Sequence, residues 1–362
     1  MPEFSTSSSL PPVLRPAHVL LDGLTRPPEF VIKPYFPRGE LTEIVGAHGV
    51  FKSTIALGAC LAVATGRAWG GVPTAAGRTV FISLEDSEHT LARRLKAWLE
   101  GIEDRDERLS AAREIDANFT YLAREHARGL VMTRTVQGST TPDIDVARHL
   151  AQLTRGTAIV VLETVSRIHD GPETNDAFSA LVKALETIAE NGTALVIVRH
   201  MSKKAAREMK GPDTIDSYGG RGGGALSDAV RSCLVVTRHD GAGLGHVTLR
   251  AVKTTHARPG DSISWVPVVV PHLEAVRLED REPEREASDE ATALHGALVA
   301  AGRGITKTDL HKHPPAGLTR TAAKECMAYL LRAGLAVQRQ ERRGTNPATI
   351  VYYAAERLLE AA

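Results

Sequence analysis

The chain has 362 residues, with 44 Lys and Arg against 43 Asp and Glu. This is length for about two domains and a sizeable core, with no global field to argue for a nucleic-acid or membrane partner, so any such surface has to be local. Three widely spaced cysteines in apolar surroundings, Cys60, Cys233 and Cys326, argue against zinc ligands or disulfides; with no apolar stretch near the roughly 20 residues of a membrane span and no signal-peptide pattern at the Ser-rich start, a cytoplasmic protein is expected.

In chain order, residues 1–38 are rich in Pro and Ser and read as a flexible lead-in, with Phe30-Val31-Ile32 extended ahead of the first strand. Over 39–271, short β-branched runs alternate with helical stretches, the pattern of an α/β domain with a mainly parallel sheet wrapped by helices. Strands are expected at 43–45, 79–84, 158–162, 194–198, 233–237 and 246–252, and helices at 53–65, 88–98, 145–153 and 175–190. Residues 272–290 turn charged and read as a linker.

The remainder, 291–362, has its own grammar. Helices are expected at 291–301, from Thr306, and at 322–333 after a Thr319 cap, followed by strands at 335–339 and 349–353 around a basic turn, 342–347. Three helices and a basic hairpin make a winged helix-turn-helix. Lys307, Lys312, Arg320 and Lys324 surround its recognition helix, and Arg342 and Arg343 sit in the wing, a placement suited to DNA phosphates. Winged helices serve equally as protein-interaction modules.

The chemistry starts at Gly46-Ala47-His48-Gly49-Val50-Phe51-Lys52-Ser53-Thr54, set between an apolar run and a helical one. A strand delivers such a loop, its N–H groups turn inward, and the helix it opens aims a positive dipole end at phosphates. Lys52 then bridges the outer phosphates of a bound ATP and Ser53 holds Mg²⁺. Phe51 departs from the pattern: glycine belongs there, and phenylalanine resists a positive φ. The competing view is that Gly46 and Gly49 are ordinary turn residues.

Three further strands end in polar groups. Glu163 closes 158–162 where a second Mg²⁺-facing acid is needed, although such an acid also serves merely to cap the next turn. Glu85, after 79–84, is the candidate to orient the attacking water, with Asp86 or Ser87 capping the helix that follows. His200, after 194–198, stands where a polar group senses the terminal phosphate; a lone histidine there is more often a surface residue. Beyond it lie Lys203, Lys204, Arg207 and Lys210, either a DNA-tracking loop or a solvated one, and then Arg221 among five glycines, placed to reach a neighbour's phosphates as an arginine finger.

Taken together, Gly46 to Ser53, Ala62 to Trp69, Val80 to Leu95, Val160 to His169, Val196 to Ser202 and Gly220 to Ala225 resemble the RepA-like branch of RecA-type P-loop ATPases, over roughly 30–270. The resemblance implies a RecA-like core with ATP at the subunit interfaces of a ring, as in a plasmid-encoded hexameric replicative helicase. It implies phosphate and metal roles for Lys52 and Ser53, a catalytic glutamate in Glu85, and Glu163 in place of an aspartate. It also puts His200 on the family's strand-end motif, with Arg199 where a second His is usual, and Arg221 at the arginine finger. Lys253 falls where the family's lysine approaches a neighbour's nucleotide. The expected function is a DNA helicase or replication ATPase using ATP and Mg²⁺; the alternative is a DNA-binding initiator or transcriptional regulator in which nucleotide governs assembly.

Overall fold

A computed structural model describes residues 29–127, 129–171, 174–201, 224–239, 244–255, 261–280, 289–302, 304–332, 336–341 and 349–354. The chain divides into two compact units, Met1–Arg281 and Glu282–Ala362.

The first unit opens with a small antiparallel pair, β1 (Phe30–Ile32) and β2 (Phe36–Pro37), and is built around a nine-stranded sheet. The chain next lays down β3 (Leu41–Gly46), helix α1 (Lys52–Thr65) and β4 (Thr79–Ser83), then α2 (Glu88–Glu100), α3 (Arg105–Asn118) and β5 (Phe119–Leu122). A separate hairpin, β6 (Thr133–Val136) with β7 (Ser139–Pro142), precedes α4 (Ile144–Leu153), β8 (Ile159–Glu163), α5 (Asn175–Ala189) and β9 (Ala194–His200). The short helix α6 (Gly224–Ala229) leads to β10 (Ser232–His239), β11 (His246–Thr254), β12 (Ser262–Val270) and β13 (Ala275–Asp280).

In space the sheet runs β13-β12-β11-β10-β3-β9-β8-β4-β5, parallel from β5 to β10 and antiparallel from β10 to β13. The central strands are buried on both faces, which is why β8 and most of β9 read as apolar runs, while β3 buries Thr42 and Glu43 among its apolar residues. One face packs on α1, whose alanine-rich sequence is buried nearly all round, and the other on α4, α5 and α6. Helix starts follow their side-chain caps: Ser87 accepts from Thr90 N, Asp104 from Glu107 N, Asp143 from Val146 N and Thr174 from Ala177 N. The cap of α2 is therefore Ser87, and Asp86 has another use described below.

Residues 275–280, expected in the linker, form the edge strand β13 instead, with Ala275 buried and Asp280 accepting from Gly71 N at 3.1 Å. Strands β5 and β12, helix α3 and the β6–β7 hairpin are likewise additions to the sequence reading. All three cysteines are buried, and none is in a disulfide. Among the described residues, no helix is long and apolar enough to cross a membrane.

The second unit has helices α7 (Asp289–Ala301), α8 (Lys307–Lys312) and α9 (Arg320–Arg332) and a three-stranded antiparallel sheet. Its strands are β14 (Ile305–Thr306), β15 (Ala336–Glu341) and β16 (Thr349–Ala354), in the order β14-β16-β15. Leu294, Leu298, Leu310, Ala323, Met327 and Leu330 form its core with Ala336, Tyr352 and Ala354. Thr306 caps α8, accepting from Asp309 N.

Candidate active site

Strand register gathers the site before any side chain is considered. Ser83, Glu163 and Val198 stand side by side on β4, β8 and β9, and Gly46 pairs with His200 two residues further along β3 and β9. All lie at the carboxyl edge of the parallel strands, where open α/β sheets place their ligands.

The loop from β3 to α1 needs Gly46 for space. A Cβ there would stand 2.8 Å from the Val236 carbonyl oxygen and 2.9 Å from Val50 Cγ2. Phe51, expected to resist positive φ, adopts it, at φ 65° and ψ 21°. The left-handed turn is kept without glycine, at a cost of about 1–2 kcal/mol. Its ring packs against the α1-side core, and the Arg238 guanidinium lies over it, 5.9 Å from the centroid. Lys52 is buried and curls back to donate from Nζ to the Ala47 carbonyl at 2.6 Å. Burial lowers its pKa to about 8, with Glu163 and Glu85 pulling the other way. Bound phosphates would replace that carbonyl and restore the full cation.

Glu163 is almost wholly buried. Ser83 Oγ donates to its Oε2 at 3.0 Å, and Ser53 at the start of α1 neighbours the same carboxyl. Burial, reinforced by Asp86, raises its pKa to about 7, against the pull of Ser53, Arg94 and Ser83. An acid held in this way beside a hydroxyl at a helix start fits a hard divalent cation: the donors are all oxygen, and a cation relieves the cost of burying the charge. Ser53 and Glu163 would hold Mg²⁺ together with phosphate oxygens.

Glu85 lies just beyond β4 with a partly exposed side chain. Its Oε2 is 3.7 Å from His200 Nε2 and its Oε1 is 3.9 Å from Arg167 Nε. The neighbouring His200 ring holds this carboxyl below its usual range despite partial burial, with Arg167 and His48 assisting. The His48 and His200 rings stack at 4.0 Å. Asp86 pairs with Arg94 of α2, and its N–H donates to Ser83 Oγ at 2.9 Å. The Ser83 hydroxyl thus ties the backbone that carries Glu85 to the acid Glu163. Arg167, in a single 3-10 turn after β8, and Ser83 are site residues the sequence reading missed. Only the basic residue four positions after Glu163 could have signalled the first.

Arg199 points away from His200, as alternation on a strand requires, into the opposite face of the sheet. Its Nη2 is 2.7 Å from Glu43 Oε2 and donates to Ser227 Oγ at 2.7 Å. Lys253 donates from Nζ to the carbonyls of Ser227 (2.7 Å) and Asp228 (3.0 Å) in the last turn of α6, a helix-capping use within this chain. Lys203, Lys204, Arg207, Lys210, Arg221, Arg342 and Arg343 lie outside the described residues. Arg320 and Lys324 are exposed on α9 of the second unit.

A loop from β3 to α1 with Lys52 and Ser53 at the helix start, at the carboxyl edge of a mainly parallel sheet flanked by helices, is the arrangement of a P-loop ATPase core. The family comparison agrees with that class. The model of the AAA domain family (AAA_25) matches residues 9–206, more than half of the chain, and the chain belongs to this family. No curated protein matches the sequence. Solved structures similar to it include a KaiC-like protein from Pyrococcus horikoshii OT3, at 13% identity and TM-score 0.42, covering 69% of this chain and 93% of that one. A second, solved as an ATPase domain, is 13% identical with TM-score 0.45, covering 66% of this chain and 84% of that one.

Proposed function

We propose that this chain is a ring-forming, RepA-like ATPase that cleaves ATP with Mg²⁺ at subunit interfaces and works on DNA as a helicase or replication ATPase. The observation that carries the reading is the meeting of Lys52, Ser53, Glu163, Glu85 and His200 at one sheet edge. Lys52 moves from the Ala47 carbonyl to the outer phosphates. Mg²⁺, held by Ser53 and Glu163, supplies charge neutralisation at those phosphates. Glu85, anionic beside His200, accepts the proton of the attacking water, and His200 links that carboxylate to the end of β9. Arg221 of a neighbouring subunit would complete the charge stabilisation, and the basic run 203–210 would follow a single strand. The element order of the second unit supports a winged helix-turn-helix, with Arg320 and Lys324 toward duplex phosphates.

Two departures from the usual motif favour a switch over a motor: Phe51 stands where the loop has glycine, and the metal-facing acid is Glu163 where aspartate is usual. An ATPase assay with and without single- and double-stranded DNA separates the two. The motor reading expects turnover stimulated by single strands, lost in Lys52→Ala, and at least about 100-fold lower in Glu85→Gln with ATP still bound. Turnover indifferent to every form of DNA sinks the motor; a duplex footprint that survives Lys52→Ala establishes the initiator or regulator instead.

A further inference from the structure

Phe51 stands in the left-handed region, which glycine would occupy without strain, so the ring needs a reason to be there. What the ring touches supplies one. The Arg238 guanidinium lies across it at 5.9 Å, Arg238 Nε donates to the Leu244 carbonyl at 3.1 Å, and the side chain is otherwise exposed. Arg238 is two residues beyond Val236, which pairs with Gly46 at the root of the phosphate loop, and β10 flanks β3 on the side away from β9. The hydrolytic groups, Glu85, Glu163 and His200, lie at or just beyond the ends of β4, β8 and β9 on the other side of β3. A triphosphate whose terminal group is turned toward them carries its nucleoside on the β10 flank.

We infer that Phe51 and Arg238 form the nucleobase subsite: the guanidinium, over the ring and tied to the Leu244 carbonyl, offers its outer face for the base to stack on. Guanidinium planes stack on any base, so this contact adds affinity without choosing among bases. The inference rests on the nucleotide reading above and deepens it.

The test compares ATP with inorganic tripolyphosphate, which has the phosphates and no base, by calorimetric titration of the full chain. Arg238→Ala removes an exposed side chain, and Arg238→Lys keeps the charge while deleting the planar guanidinium. Each is expected to weaken ATP binding about tenfold and to leave tripolyphosphate binding within about twofold. Equal losses for both probes, or no loss for ATP, overturn the subsite. Wild-type protein that binds tripolyphosphate as tightly as ATP overturns it while leaving the phosphate loop intact. Wild-type protein that binds neither overturns the nucleotide reading and the subsite with it.

Discussion

Glu163 carries the tension between stability and function in this site. Its carboxyl is raised from 4.5 to about 7, mainly by burial, so the folded chain holds a proton that the unfolded chain releases between those values. Stability therefore falls as pH rises through that window, and the deficit is complete above about 7. Ionised and buried without a cation, the group costs about 3 kcal/mol. Glu163→Gln removes that cost and keeps a polar group beside Ser83. The variant is expected to melt several degrees higher than wild type at pH 8, to differ little at pH 5, and to lose Mg²⁺-dependent hydrolysis. Thermal unfolding without nucleotide at the two pH values checks it; an unchanged midpoint at pH 8 means that the carboxyl is not desolvated as described. The positions of Lys52, Ser53, Glu85 and Glu163 were legible in the sequence because each follows an apolar strand. The partners that tune them, Ser83, Asp86, Arg94 and Arg167, were not, since they meet only through the non-sequential order β4-β8-β9-β3.

At the scale of elements, the strands that carry the site are locked on their far face by a buried ion pair. Glu43 of β3 is fully buried, as is nearly all of Arg199 of β9, and the pair joins the strand that delivers the phosphate loop to the strand that ends in His200. Cys233 of β10 sits against it, its thiol pushed well up by burial and then by Glu43. Removing one partner strands a charge. Arg199→Met is expected to cost about 3–5 kcal/mol, whereas Glu43→Gln with Arg199→Met recovers much of the loss. Urea unfolding of both singles and the double measures it, and additive losses would show that the two side chains are not coupled. The same contrast explains which elements the sequence displayed. Strands β8 and β9 are buried on both faces and read as apolar runs, whereas β13 is an edge strand whose Arg277, Glu279 and Asp280 mimic a linker. Strand β5 follows α3 with no turn residue to announce it, because Phe119 is at once the cap of α3 and the first residue of β5.

For the whole molecule, the two compact units divide the proposed work. Every described group of the hydrolytic site belongs to Met1–Arg281, so a chain ending at Arg281 is expected to bind ATP with unchanged affinity and to keep its basal turnover. What it should lose is duplex binding. In the second unit Arg320 opens α9 with Nε donating to the His311 carbonyl at 2.8 Å, and Lys324 lies one turn on along the same exposed face. Each phosphate neutralised by such a cation contributes about 0.9 to the slope of log affinity against log salt. Arg320→Ala with Lys324→Ala in the full chain should therefore weaken duplex binding for every sequence and flatten that slope by about 2, with ATP turnover in the absence of DNA untouched. Fluorescence anisotropy on a labelled duplex across a salt series reads both quantities. A slope that stays at its wild-type value would mean that the second unit contacts something other than phosphates through this helix, and would turn the reading of that unit toward a protein partner.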